Sequence, residues 1–390
     1  MWTPALGRLG KKMKKNVTLP NNYEELLKSG DVEALKKVFD KCELNAYQRG
    51  YFKCRALHFY SVPYDFMKWI LEQGFDPNSM STYDVPLNYC FNDLDKIKLL
   101  IEHGADINFK CSSNETPVHS MCDGNWNIEN LKFILENGAD INARNNSNET
   151  PLIYAIKRKD IPDTRFVQMV ELLLEHHKKT LKASFMDKIL KKEKHPIPDE
   201  DWKTIQKEIT RIGHSHEFYK VNIKDENLLK EKNANMKRLY EIFDVEPVPE
   251  REMVTETSLI KVKATEWEKQ YSELWDLLVP GCGRAEFIQG EAIRLVGRLS
   301  YEVLDMGCCN WDDDFKKLPE AYLLLISYGK KLDDEEYEDI KSIMKNIKKS
   351  DDDDFNYIAE MTVKWILKNP VPVKLSDFKN AGFISLEYSR

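Results

Sequence analysis

Apolar residues in the first half of the chain fall into short helical stripes, each ending in a glycine and a polar loop. Ile97, Leu99, Leu100 and Ile101 form one stripe, and Leu131, Phe133, Ile134 and Leu135 another, at the spacing of one buried helix face. The stripes run into one recurring tail: Leu71-Glu-Gln-Gly-Phe-Asp-Pro-Asn78, Ile101-Glu-His-Gly-Ala-Asp-Ile-Asn108 and Leu135-Glu-Asn-Gly-Ala-Asp-Ile-Asn142. Its glycines, Gly74, Gly104 and Gly138, stand 30 and 34 residues apart. A second landmark keeps step: Val85-Pro-Leu-Asn88, Thr116-Pro-Val-His119 and Thr150-Pro-Leu-Ile153, with Ala56-Leu-His58 as an earlier partial copy. Two landmarks advancing together predict a repeated helix–turn–helix unit of about 33 residues.

The second landmark is a helix start. Proline fits the first helical turn, where no amide hydrogen is needed, and the preceding threonine can cap it. The tail is a helix stop, because glycine supplies the left-handed conformation that ends a helix. Together they resemble the ankyrin repeat, with its Thr-Pro-Leu-His and Gly-Ala-Asp-Ile-Asn signatures. The resemblance implies helix pairs joined by hairpin-like loops and stacked as a solenoid, each unit burying its apolar face only against its neighbours. It also implies a structural, backbone-bonding role for His58 and His119.

Three departures shape the expectation. Asn114 and Asn148 stand where the family carries glycine, and asparagine is the residue best able to follow at positive φ. The count from the histidine position to the acid of the second helix (Asp65, Asp95, Glu129) is 7, 7 and 10, so the first helix is shortened in two units and lengthened in the third. The unit after Pro151 carries an insertion and ends in His176-His177 where glycine belongs, which marks a degenerate closing repeat. Upstream, Asn22 caps a helix over 23–28, and Gly30 to Phe39 reads as a second helix, together an amino-terminal cap.

The remainder reads as helical too. Seven lysines between Lys178 and His195 suggest a solvated helix face. Helices are expected at 202–212 and 226–243, and Val245-Glu-Pro-Val-Pro249 punctuates the chain. A long helix is expected over 284–306, with Gly290 and Gly297 on one face marking close approach of another helix. Asn310-Trp311-Asp312 caps a further helix from Asp313, in which Pro319 implies a kink or a late start, and two more follow at 333–348 and 354–368. The expected fold is all-α. Its parts are a basic, disordered extension over 1–19, the repeat array over 20–180, a charged helical connector over 181–262, a carboxy-terminal helical domain over 263–372 and a tail over 373–390. The layout is similar to a group of bacterial ankyrin-repeat proteins sharing this carboxy-terminal block, through Leu278-Val-Pro280, Gln289-Gly-Glu291, Ile293-Arg294, Gly297-Arg298 and Asn310-Trp311-Asp312. That likeness carries no established activity.

Composition narrows the function classes. The 390 residues carry a net charge of −7, which argues against a chain-wide nucleic-acid binder. The apolar runs, such as Tyr322 to Ile326, are far too short to span a bilayer, and the basic start lacks the apolar run of an export signal. Met13 competes with Met1 as the start. The eight cysteines form no Cys-x-x-Cys pair and read as free thiols in a reducing cytoplasm. Gly281-Cys-Gly283 lacks the rest of a phosphate loop, and neither His214-x-His216 nor His176-His177 has a third ligand in reach. No cofactor, metal or catalytic residue is assigned.

The expectation is therefore a non-enzymatic cytoplasmic protein that binds another protein. The resemblance places contact residues at the hairpin tips, here Tyr83, Phe109, Lys110, Arg144, Asn145 and Asn146, and on the concave face, here Trp126 and Tyr154. For Trp126, packing against its neighbour is the favoured reading. An immunity-like neutraliser of a toxin or phage protein is one alternative. The other is an enzyme or small-ligand site in the carboxy-terminal domain, where Glu291, Arg294 and Arg298 share a helix face with Trp311 and Asp312 at the mouth of a polar pocket. The competing reading of those residues is an ion-pair ladder.

Overall fold

The computed structural model describes residues 14–124, 127–183 and 196–380. It is mostly helical, 56% helix against 3% strand, so the all-helical expectation needs one correction. Strand β1 (Asn16–Thr18) pairs in parallel with β2 (Cys42–Tyr47), and Leu19 is buried. Residues 14–19 are thus part of the fold and not an extension; residues 1–13, with the second candidate start, lie outside the described residues. By contact the chain divides into two compact units, one reaching Ile209 and adding Lys237–Val245, the other comprising Thr210–Met236 and the residues from Glu246. The divisions fall inside helices α9 (Asp199–Lys220) and α10 (Glu226–Phe243), within the stretch expected to connect.

In the first unit the repeat pattern becomes two rows. Helices α1 (Tyr23–Ser29) and α2 (Val32–Lys41) form the amino-terminal pair, α2 capped by the Asp31 carboxylate. The outer row continues through α3 (Tyr64–Glu72), α4 (Leu94–Glu102), α6 (Ile128–Glu136) and α8 (Thr164–Ala183). The inner row is a 3-10 turn at Pro86–Tyr89, then α5 (Pro117–Met121) and α7 (Pro151–Lys157), with α5 packed on both neighbours. The first copy, from Ala56, forms only turns. The shortened inner helices are thus present as expected, whereas the extra residues of the third unit enter the loop before α6 rather than its first helix. Part of the lysine-rich stretch, residues 184–195, lies outside the described residues.

Polar side chains of this unit tie one repeat to the next. The Asn78 amide donates to the Gly104 carbonyl at 2.9 Å and accepts from the Asp106 amide at 2.7 Å; Asn108 repeats both bonds to Gly138 and Asp140. His58 Nδ1 accepts from the Arg55 amide and its Nε2 meets the Asp84 carbonyl, both at 3.1 Å. His119 does the same with Thr116 and Glu149, completing a capping box. Burial holds the His58 ring neutral, with its pKa down at about 4, and lowers that of His119. Asn114 and Asn148 both sit at φ 59°, as the substitution for glycine requires.

In the second unit α12 (Ile288–Ser300) is central. It packs against α11 (Trp267–Leu278), α13 (Leu318–Ile326) and α15 (Asp352–Lys368), with α14 (Asp334–Lys345) against α13 and α15. The two glycines permit that contact: a Cβ at Gly290 would stand 2.5 Å from the Leu278 carbonyl oxygen, and one at Gly297 2.6 Å from the Trp275 ring. The long helix expected to 306 stops at Ser300 and continues as a π turn, Tyr301–Asp305. The helix expected from Asp313 starts late, after a 3-10 turn at Phe315–Lys317, with Pro319 in its first turn. The chain from 373 is not simply a tail: α16 (Leu375–Asn380) begins there, with Leu375 and Phe378 buried.

Candidate functional site

Two surface features of the first unit stand out. At its hairpin tips Tyr51, Phe52 and Tyr83 pack on one another, with ring centroids 5.5 to 6.3 Å apart, yet stay 70%, 60% and 41% exposed. The cluster is held by backbone: the Thr82 amide donates to the Phe52 carbonyl at 2.8 Å, its hydroxyl to that of Tyr51 at 2.6 Å, and the two tyrosine hydroxyls bond each other. Exposed aromatics fixed in mutual contact offer large contact area at low entropic cost.

Beside them a cleft of about 500 Å³ runs along the inner row. Tyr60, Tyr89 and Tyr154 line it with Asp84, Asp93 and Asp123, against Lys96. Tyr60 lies 5.1 Å from Tyr89, centroid to centroid, and is 78% exposed. Burial and the nearby Asp84 raise the Tyr89 pKa; burial and Glu115 push Tyr154 up to about 12. The Tyr154 hydroxyl is bonded to Glu115 and that of Tyr89 to Ser81, so what the two residues offer the cleft is their rings.

The expected contact residues separate. Tyr83 lies in the aromatic cluster, and Phe109 (half-buried) and Lys110 (exposed) sit on the next tip. Asn145 is not an exposed tip residue: it is buried, accepts from the amides of Ser147 and Glu149 and donates to the Glu149 carboxylate. Asn146 is exposed but spent laterally, on Ser112, Ser113 and Asn114 of the previous tip. Arg144 is committed to Asp201 at 2.8 Å and to the Asn148 carbonyl. Tyr154 does line the cleft, although its side chain is buried beneath the Arg158 guanidinium, 3.4 Å from the ring centroid. Trp126 lies outside the described residues. Tyr51, Phe52, Tyr60 and Tyr89 were not foreseen. The signal was present for Tyr89, which follows Pro86 at the spacing by which Tyr154 follows Pro151.

The polar pocket expected in the second unit does not assemble. Glu291 and Arg294 form a closed pair, with Nε to Oε2 at 2.8 Å and Nη2 to Oε1 at 2.7 Å, and the Ala285 amide adds a third bond; both residues are buried. Trp311 packs on Phe315 under Lys348, and Asp312 caps the 3-10 turn. Arg298 alone of the five lines an opening, about 320 Å³, with Trp275, Tyr301, Glu302 and Asn310 among its neighbours. Glu302 is held by the Asn310 amide at 2.6 Å. Among the described residues no group of three or more His, Cys, Asp or Glu could hold a metal ion, and no helix is long and apolar enough to cross a membrane.

No curated protein matches the chain. The ankyrin-repeat family model, in three copies, matches residues 87–183. The match takes in the closing unit with its insertion and missing glycine, and omits the turn-only copy from Ala56. Residues 87–183 thus carry ankyrin repeats, which are generally protein–protein interaction modules and not enzymes.

Proposed function

We propose that the first unit is an ankyrin solenoid that binds another protein through its hairpin tips and inner face, and that the second unit is a helical bundle without a reaction of its own. The observation that carries the reading is the Tyr51–Phe52–Tyr83 cluster, which spends three large rings on solvent where a self-sufficient fold has no use for them. The closed Glu291–Arg294 pair supports the second half, because the charges most suggestive of chemistry are consumed in packing. The protein acts in the cytoplasm, in keeping with eight free thiols.

The test is co-purification from the native source with the tagged full chain. Serine at Tyr51, Phe52 and Tyr83 together should remove the partner while leaving the circular dichroism and melting temperature within a degree or two. Retention of the partner by that folded variant contradicts the proposal.

A further inference from the structure

The two ends of the inner-face cleft are built on one plan and differ in one respect. At one end His119 stands edge-on to Tyr154, centroids 5.6 Å apart at 90°; at the other His58 stands edge-on to Tyr89 at 5.7 Å and 78°. In each, an acid lies two residues before the landmark proline, Glu149 before Pro151 and Asp84 before Pro86. At the Tyr154 end the chain supplies its own cation: the Arg158 guanidinium covers the ring and stands 3.6 Å from Glu149 and 3.8 Å from Asp123. Arg158 lies seven residues after its proline. Seven residues after Pro86 stands Asp93, of opposite sign. Among the described residues no cation of the chain lies over Tyr89 or Tyr60.

We propose that the Tyr89 end of the cleft receives an arginine side chain from the partner protein, seated over Tyr89 and against Tyr60 as Arg158 sits over Tyr154. The inference rests on the protein-binding reading and names the chemistry of the bound segment. The ring faces attract a delocalised cation, and a planar guanidinium can stack on tyrosine while donating to carboxylate. Asp84 is the acceptor: one of its oxygens takes the Asn88 amide at 2.9 Å, leaving the other to a partner. Asp93 caps α4 and is matched by Lys96 at 3.2 Å, so it adds little. Asn88 stands where the other repeats have His58 and His119, is too short to reach the next repeat, and leaves its Oδ1 buried without a hydrogen bond. A cleft with tyrosine faces and a half-committed carboxylate suits a donor-rich cation.

The experiment uses the full chain and three labelled twelve-residue peptides in which glycine alternates with arginine, lysine or glutamine, followed by fluorescence anisotropy at physiological salt. The arginine peptide should bind best and the glutamine peptide not measurably. Asp84→Asn and Tyr89→Leu, each shown folded by circular dichroism, should weaken the arginine peptide about tenfold. Glu72→Gln, an exposed change at the end of α3, should leave it unchanged. Equal binding of the glutamine peptide, no loss in the two cleft variants, or the same loss in Glu72→Gln each overturns the assignment, the last by showing diffuse attraction only. Native-partner capture separates the two readings. A partner lost from the tip variant but kept by Asp84→Asn and Tyr89→Leu overturns the arginine seat alone; a partner kept by all three overturns both.

Discussion

The two units treat their polar groups in opposite ways. The repeat unit spends histidines and asparagines on tying each repeat to the next, and leaves aromatic rings on its tips and inner row in solvent. The second unit buries one ion pair, Glu291 and Arg294, in its central helix, and uses glycines to bring helices to contact. A solenoid has no single centre, so its specificity comes from short bonds passed along the array and its binding surface stays free. A bundle around one helix has a centre, and a charge placed there must be paired or it destabilises. The contrast supports the proposal that recognition belongs to the first unit.

The strongest way to break this contrast is Glu291→Ala. It leaves the Arg294 guanidinium buried without its carboxylate and should cost about 3–5 kcal/mol. Native-state hydrogen exchange should show faster opening confined to the second unit, with the repeats unchanged. Acid should act on the other unit. Burial places the folded pKa of His58 and of His177 at about 4, against about 6.5 when unfolded. Both favour the neutral ring in the folded state, so stability is full above about pH 6.5 and falls progressively from there down to about pH 4. The loss by pH 4 is about 3 kcal/mol for each, and urea midpoints of the repeat unit should fall across that window. Helices α11 to α16 contain no histidine and should not share it, although His216, in the part of α9 that belongs to the second unit, is shifted by burial in the same direction. Gly290→Ala comes next, at about 1–3 kcal/mol, because the clash is with backbone that cannot rotate away. The smallest effect is Asn114→Ala, about 1 kcal/mol from holding φ 59° without the short polar side chain that tolerates it and without the bond to Asn146, read as a modest fall in the repeat unit's melting temperature.

Much of the repeat architecture was legible because its signals are local. A proline at a helix start, a glycine at its stop and asparagine at positive φ act within a few residues and leave their mark in the sequence. Gly290 and Gly297 also announced a helix contact, since little else explains two glycines in one helix. What escaped depended on distance. Asn145 and Arg144 have the residue types of a binding tip, but their partners, Glu149 and Asp201, decide that they are structural. Tyr51 and Phe52 gave no repeat signal, because they precede the first recognisable landmark and gain meaning only beside Tyr83, 32 residues on. The polar-pocket expectation failed because shared helix periodicity places side chains on one face without telling whether they turn toward each other or toward a cavity.

The most direct test of the account is hydrogen exchange of the full chain with and without its co-purified partner. Slowed exchange should appear at residues 47–60 and 81–93, around the aromatic tips and the Tyr89 end of the cleft, with residues 297–315 unchanged. Protection at 297–315 with none at the tips would place recognition in the second unit and contradict the assignment made here.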